Sequence, residues 1–203
     1  MHTFDKDALV QQLAALNPTA RTAFALSVAT RQLRCFERAA DRHGWEHAGE
    51  PRAIVERLWE ALFTADDDHD DWRRDEELVL NWIPHAEDDD WTFEYAFVQE
   101  ALSSLAYAIR SLLTSDPQEA AWAAAAAYDS VDQATIWFLG IRPDSGGAEV
   151  TILSHPIVQR EFVRQADAVQ LLSAGSIREL QAAAADQELI TDEEFQAIAE
   201  HQQ

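Results

Sequence analysis

The sequence predicts an all-α protein, a single-domain irregular bundle of about eight helices that spans residues 1–203. Three observations indicate this fold class. Hydrophobic residues make up 47% of the chain, enough to build one core at this length. Glycine and proline contribute only six residues each, fewer than a turn-rich β fold or a disordered chain requires. Apolar residues also recur every three or four positions, as they do on the buried face of a helix.

Start and stop signals divide the first part of the chain into four predicted helices. Residues that cap or open a helix stand before each segment of apolar periodicity, and Gly or Pro follows several of them. In order, the signals are Asp5 or Asp7 for a short first helix, Asn17-Pro18 for a long second helix that ends before Gly44, Pro51 for a third, and Asp71 for a fourth that reaches Ile83 and stops at Pro84.

The predicted fifth and sixth helices are expected to lie at the centre of the bundle. The fifth begins near Asp90 and has a wide apolar face, and the sixth begins at Asp116-Pro117 and contains many alanines, which permit close helix contact. A long loop is predicted at 140–153, because this stretch combines one proline with two glycines. The remaining signals are Ser154 as the cap of a helix that reaches Leu172, Ser176 at the start of another, and Thr191 with Glu194 as a capping box for the last.

The chain is strongly acidic, with 37 acidic and 15 basic side chains and a formal charge of -22. This charge argues against a nucleic-acid partner, because a phosphate backbone attracts positive charge. The acidity is unevenly placed. Residues 1–64 contain eight basic and eight acidic groups, residues 65–100 contain two and fourteen, and residues 101–203 contain five and fifteen. The negative charge therefore begins abruptly at Asp66.

The sequence predicts neither membrane insertion nor export. The longest apolar stretch, at 120–127, is far shorter than the ~20 residues of a membrane span. The N-terminal segment has mixed charge and no apolar signal region. The single cysteine, Cys35, cannot form an intrachain disulfide and lies within a helical pattern. We therefore expect a cytoplasmic protein with no membrane partner.

Two acidic clusters flank the predicted fourth helix. Blocks of like charge are usually exposed, and folding can bring both clusters to one end of the molecule, where they would form a negative surface that attracts a basic partner. The dipole of the following helix explains part of the second cluster. The candidate partner-binding residues are Asp66, Asp67, Asp68, Asp70, Asp71, Glu87, Asp88 and Asp89.

The first cluster also has some features of a calcium-binding loop. An EF-hand loop carries acidic ligands at its positions one, three, five and twelve, which this chain would supply as Asp66, Asp68, Asp70 and Glu77. Position six requires Gly for a sharp turn, however, and here holds Asp71. We therefore assign no metal site and keep a divalent-metal sensor or enzyme as an alternative.

The predicted second helix carries four arginines on one side. They are spaced three, four and four residues apart, which confines them to about 80° of the helix circumference. Such a stripe either binds an anion or forms internal ion pairs, and the neighbouring Glu37 and Asp41 favour ion pairs. The stripe consists of Arg31, Arg34, Arg38 and Arg42.

The sequence shows no catalytic constellation. The seven histidines form neither an HExxH pair nor facing Glu-x-x-His repeats, and no Walker A, GxGxxG, GxSxG or Cys/His arrangement is present. We therefore predict no catalytic residue and no cofactor. Six tryptophans fall mostly on apolar helix faces and are expected to be core residues: Trp59, Trp72, Trp82, Trp91, Trp122 and Trp137.

Four short segments carry a family resemblance. They are Thr22-Ala23-Phe24-Ala25, Leu58-Trp59-Glu60-Ala61-Leu62, Ile83-Pro84-His85-Ala86-Glu87-Asp88-Asp89, and His155-Pro156-Ile157-Val158 with the later Leu171-Leu172. In these segments the chain resembles the YjaG-like family of uncharacterised bacterial proteins. It departs from that family in its aspartate tract and in the glycine-rich loop before His155. The resemblance implies an all-helical bundle in a bacterial cytoplasm and implies no activity.

The sequence leaves three functional hypotheses open. In the first, a non-catalytic protein binds a basic protein partner through its acidic surface, as an immunity-type inhibitor of a toxin does. In the second, a metal sensor or enzyme uses a divalent cation at residues 66–71. In the third, the acidity is an adaptation to a salty cytoplasm, as the near-absence of lysine suggests. A homodimer is a further candidate assembly, because a large helical bundle with many aromatic residues can self-associate.

Overall fold

A computed structural model describes residues 3–64, 69–84, 92–142 and 144–201. Within these ranges the chain forms ten helices and no strand, so the predicted all-α class is confirmed and the predicted count of about eight is too low. None of these helices combines the length and apolar character of a membrane span. The helices are α1 (Lys6–Ala14), α2 (Pro18–His43), α3 (Glu50–Thr64), α4 (His69–Trp82), α5 (Phe93–Thr114), α6 (Pro117–Leu139), α7 (Ala148–Ser154), α8 (Pro156–Ser173), α9 (Ile177–Asp186) and α10 (Asp192–His201).

Several helices begin at the residues that the sequence identifies as caps. The side chains of Asp5, Asn17 and Asp116 each accept a hydrogen bond from a first-turn amide at 2.9 Å. At α10, the Thr191 hydroxyl accepts from the Glu194 amide at 3.2 Å, and the Glu194 carboxylate accepts from the Thr191 amide at 2.9 Å. This reciprocal pair is the predicted capping box.

The long loop predicted at 140–153 is interrupted by a short helix, α7. This helix follows Gly147, whose φ of +83° lies in the left-handed region that favours glycine. Ala148 and Ile152 are one turn apart and are both buried. Burial of this small apolar face explains why a segment rich in turn residues still forms a helix.

The predicted cap of the following helix is also wrong by one residue. Ser154 is the last residue of α7, and His155 caps α8. Because His155 precedes Pro156, helical backbone is disfavoured at this position, and its ψ is 142°. Its imidazole accepts a hydrogen bond from the Ile157 amide at 3.4 Å, so a histidine performs the role that we expected of the serine.

Three helices form the centre of the bundle, namely α2, α5 and α6. Helix α2 contacts α3, α5, α6, α8 and α9, and α6 contacts α1, α2, α5, α7, α8 and α10. The buried cluster around them includes residues from all ten helices. The helices predicted to be central, α5 and α6, pack on each other, and α2 shares that position with them. The apolar pattern understates the burial of α2, because its buried positions include the polar residues Thr22, Ser27, Arg31 and Gln32.

The contact between α5 and α6 is close because α6 presents small residues. Ala120, Ala123 and Ala127 have no exposed surface. The hydroxyl of Ser104 on α5 reaches the backbone carbonyl of Ala123 at 3.3 Å, so the α6 backbone itself lies at the interface. A larger side chain at this point would have to displace α5.

We therefore expect Ala123→Leu to lower the free energy of unfolding by about 2 kcal/mol, since overpacking a filled core strains the surrounding side chains. The control is Ala182→Leu at an exposed position of α9, which should change stability by less than about 0.5 kcal/mol. Urea unfolding monitored by circular dichroism measures both. Equal stabilities for the two variants would show that α5 and α6 are not tightly packed.

Candidate functional site

The most deeply buried charge of the arginine stripe is Arg31, which pairs with Glu161 of α8. Both side chains are only 1% exposed, and their closest N–O distance is 2.7 Å. Arg31 also donates to the Ser27 carbonyl at 3.1 Å, and the Gln165 amide donates to Glu161 at 3.0 Å. The pair therefore has the additional hydrogen bonds that two buried charges require.

The other three arginines of the stripe contact acidic residues of distant segments. Arg38 pairs with Glu188 at 2.6 Å and with Asp192 at 2.5 Å, and Arg34 lies 3.6 Å from Glu188. Arg42 pairs with Glu94 of α5 at 3.1 Å. The stripe thus joins α2 to α5, to α8 and to the segment between α9 and α10. In this structure its charges are directed at carboxylates of the same chain.

Two arginines of α8 hold the segment between α9 and α10 from its other side. Arg160 binds both carboxylate oxygens of Glu194, at 2.7 and 2.9 Å. Arg164 donates to the Glu188 carbonyl at 2.8 Å, and burial lowers the pKa of Arg164 to about 10. Arg160 and Arg164 were not predicted as site residues, although their four-residue spacing places them on one helix face.

The acidic clusters proposed as a partner-binding surface lie mostly outside the described residues. Asp70 and Asp71 are described, and they are exposed in the first turn of α4. They pair with Arg73 at 3.0 Å and Arg74 at 2.9 Å. The residues of the two clusters that fall outside are Asp66, Asp67, Asp68, Glu87, Asp88 and Asp89.

The calcium-loop alternative also falls partly outside, because two of its four ligands, Asp66 and Asp68, are among those residues. Of the other two, Asp70 is engaged by Arg73. In the part of the chain that the structure covers, no three His, Cys, Asp or Glu side chains are grouped as metal ligands.

Ion pairs on both sides fix the position of α4. Asp75 pairs with Arg57 of α3, and Glu76 pairs with Arg110 of α5. The Arg57 guanidinium also lies 5.7 Å from the centre of the Trp72 ring, within the range of a cation–π contact. Between α3 and α4 a cleft of about 500 Å³ remains, lined by both acidic and basic side chains.

An aromatic pocket of about 200 Å³ lies where the α2–α3 connection meets the end of α4. The Phe36 and Trp45 rings are 5.9 Å apart at an interplanar angle of 62°, and the His47 and Trp82 rings are 5.4 Å apart at 22°. Glu46 also lines the pocket. We call these five residues the aromatic pocket.

The sequence does not predict the aromatic pocket. Of the tryptophans predicted to be core residues, Trp59 and Trp72 are only 3% and 8% exposed, Trp82 and Trp137 are partly buried and pack against the core, and Trp122 is partly buried. Trp45 was not among those predicted. Trp91 lies outside the described ranges. The available signal was the position of Trp45, which follows the cap residue Gly44 and so stands outside any helix. A tryptophan between two helices does not belong to the apolar face of a helix, so helical periodicity cannot predict whether it is buried.

A group of polar side chains lies on α5 and α6, and its members are Glu100, Tyr128, Asp129 and Asp132. Burial, with a smaller contribution from Asp129, raises the pKa of the Glu100 carboxyl to about 7. Burial and the charge of Asp132 likewise raise the pKa of Asp129. The Tyr128 hydroxyl lies 3.4 Å from Asp132. In this group the ionised form of the Glu100 and Asp129 carboxyls is therefore less favourable than it is in water.

Together these features define an all-helical bundle held by internal arginine–carboxylate contacts, with an aromatic pocket at its surface. The chain belongs to the protein family of unknown function DUF416, whose family model matches residues 8–197. The resemblance to an uncharacterised family is thereby confirmed.

A solved structure supports the same fold. The chain is similar to the crystal structure of a DUF416 family protein from Shewanella baltica OS155, with a TM-score of 0.73 and 11% sequence identity. The similarity covers 86% of this chain and 92% of that one. A comparison with curated proteins gave no match.

We expect Glu161→Leu to lower the free energy of unfolding by about 3–5 kcal/mol, because it leaves the Arg31 charge buried without its partner. The double variant Arg31→Met, Glu161→Leu should be more stable than Glu161→Leu alone, since it removes both charges. Urea unfolding of the two single variants and the double variant measures the coupling. Additive losses would contradict an energetically coupled pair.

A pH-dependent stability is expected from Glu100. Its pKa in the folded protein, about 7, lies above its ordinary value of 4.5. The folded state therefore binds the proton more tightly, and the stabilisation is complete below about pH 4.5 and is lost as the pH rises through 7. Glu100→Gln keeps a neutral side chain, so at about pH 8 it should be more stable than the unmodified protein by about 1–3 kcal/mol.

Urea unfolding at about pH 5 and pH 8 tests this prediction. The difference between Glu100→Gln and the unmodified protein should shrink at the lower pH. The matched control is Glu179→Gln at an exposed position of α9. If the stabilities of the Glu100→Gln and Glu179→Gln variants respond equally to pH, the Glu100 carboxyl is not the cause of the pH-dependent stability.

Proposed function

We propose that this protein is a non-catalytic binding protein that captures a basic protein partner through the acid-rich segment at 65–100. The observation that carries the proposal is the step in charge along the chain. The first 64 residues have equal numbers of acidic and basic groups, whereas residues 65–100 have fourteen acidic and two basic ones. A concentrated negative charge attracts a basic protein and accelerates its association.

The internal use of positive charge supports the proposal. Among the described residues, eleven of the fourteen arginines form ion pairs with carboxylates of this chain. The remaining three contact backbone carbonyls or a ring: Arg21, Arg164 and Arg178. The arginine side chains thus already contact groups of this chain. The excess negative charge is not neutralised within the molecule and can attract a basic partner.

The placement of α4 supports the same proposal. Only two of its fourteen residues, Trp72 and Val79, are buried, so most of the helix faces solvent. The ion pairs of Asp75 and Glu76 hold it against α3 and α5. A binding surface on a fixed helix loses less conformational entropy on association than one on a loop. An immunity-type inhibitor of a toxin is one class of protein that would use such a surface.

Adaptation to a salty cytoplasm is the alternative explanation of the acidity. It acts on the whole surface and so predicts an even distribution of charge, whereas this chain has a sharp step at Asp66. The composition of the source proteome separates the two explanations. A proteome of similar acidity and similarly low lysine content would favour salt adaptation.

We expect neutralisation of the acid-rich segment to weaken partner binding. Proteins retained by the unmodified chain at low salt are first identified by mass spectrometry, and each purified candidate is then titrated by calorimetry. A basic partner should bind roughly tenfold or more weakly to a variant with four substitutions, which loses charge pairs at the interface. The substitutions are Asp66→Asn, Asp68→Asn, Asp70→Asn and Asp88→Asn.

A charge-matched variant controls for net charge. It carries four substitutions at exposed acidic residues of the last four helices, and these are Glu149→Gln, Glu179→Gln, Glu193→Gln and Glu200→Gln. Partner binding to this control should change far less than binding to the first variant. Equal effects of both variants, or retained proteins without a basic surface, would refute a localised acidic binding site.

A further inference from the structure

We propose that the aromatic pocket binds a methylated ammonium group, carried either by a small quaternary amine or by a trimethylated lysine. This inference goes beyond the proposed function, because it requires neither a protein partner nor the acidic clusters. It is carried by three properties of the pocket, namely its ring walls, its charge and its size.

The ring walls provide the attraction. The face of an aromatic ring is electronegative, and a cation within about 6 Å of its centre is attracted, most strongly by tryptophan. The pocket contains two tryptophans, with Phe36 and His47 beside them. The Phe36 and Trp45 planes differ by 62°, so these two walls face different directions and suit a rounded group better than a flat one. The His47 and Trp82 rings stack on each other at 5.4 Å and 22°, so they form one double wall and the ligand does not lie between them.

The charge of the pocket favours a cation over an anion. Glu46 is exposed and lines it, and the described lining residues include no lysine or arginine. A second carboxylate, Glu50, lies 2.7 Å from the His47 imidazole. The surrounding protein adds to this negative potential with its formal charge of -22. A ligand that carries its own carboxylate beside the ammonium group would be repelled.

The size of the pocket and its apolar walls favour a methylated ammonium group over an unmethylated one. A volume of about 200 Å³ is below the ~300–1,000 Å³ typical of pockets for drug-sized ligands, so the pocket accommodates one compact head group. An unmodified lysine ammonium is strongly hydrated, and its removal from water would oppose entry. Methyl groups weaken that hydration and contact the rings directly.

The experiment uses the full chain at about pH 8, with binding followed by calorimetry and by tryptophan fluorescence. The ligands are choline, its neutral isostere 3,3-dimethylbutan-1-ol, and glycine betaine. Choline should bind roughly tenfold or more tightly than the isostere, a difference of ~1.4 kcal/mol, and more tightly than the zwitterionic betaine. Equal binding of choline and the isostere would show that the pocket is merely apolar and would overturn the proposal.

Substitutions locate the ligand. Trp82→Leu should weaken choline binding roughly tenfold, as expected for the loss of a cation–π wall. Glu46→Gln should weaken it severalfold, and because Glu46 is exposed, this variant should fold even if a tryptophan variant does not. The control is Trp122→Leu, which removes a tryptophan that packs against Tyr107. Choline binding that survives both pocket substitutions, or that is lost equally in the control, would overturn the proposal.

A second arm distinguishes the two sources of the group. A short peptide with one trimethylated lysine is titrated beside its unmethylated form and beside choline. Tighter binding of the trimethylated peptide than of choline identifies a protein-borne group, and the reverse order identifies a free amine. If neither the trimethylated peptide nor choline binds, the proposal fails. The proposed function is unaffected by that result, because it is tested by charge variants at other residues.

Discussion

The ion pair between Arg31 and Glu161 places two full charges inside the bundle, and much of the surrounding structure depends on satisfying them. A buried pair contributes little net stability, but a buried charge without a partner is strongly destabilising. The pair therefore fixes where α2 and α8 meet. Because the Arg31 carbonyl also accepts the Leu189 amide at 2.9 Å, the segment between α9 and α10 is placed by the same residue. One position of α2 thus aligns three parts of the chain.

The neighbouring contacts extend this arrangement and determine the charge that the molecule presents. Arg38 and Arg160 approach this segment and the first turn of α10 from α2 and α8, and each binds both a carboxylate and a backbone carbonyl there. Arginine suits this role because its guanidinium supplies several donors in a fixed plane. Most positive charge is consequently used to hold helices together. The acidic excess has no comparable structural role, which makes it the part of the composition that the fold does not explain.

The sequence predicts the local features of this fold and fails where distant segments decide the outcome. Asn17 and the capping box at Thr191 are recognisable because a cap involves residues that are three apart. The arginine stripe is recognisable as one helix face, but its partners are not, since Arg31 and Glu161 are 130 residues apart. The helix at α7 depends on burial of Ile152 against other helices. The aromatic pocket combines Trp45 and Trp82, which belong to separate elements and share no periodic pattern.

The similarity to the Shewanella baltica protein shows that the fold tolerates the replacement of most side chains. At 11% identity with a TM-score of 0.73, the shared fold is a matter of patterns of burial and capping, which many different residues satisfy. Residues that serve the core can be explained by the fold alone. Partial burial alone does not mark a ligand site, because Trp122 and Trp137 are partly buried just as Trp45 and Trp82 are, and tryptophan is rarely buried in full. What distinguishes Trp45 and Trp82 is that they line one pocket together with the carboxylate of Glu46. The proposed ligand site depends on that combination and not on the exposure of either ring.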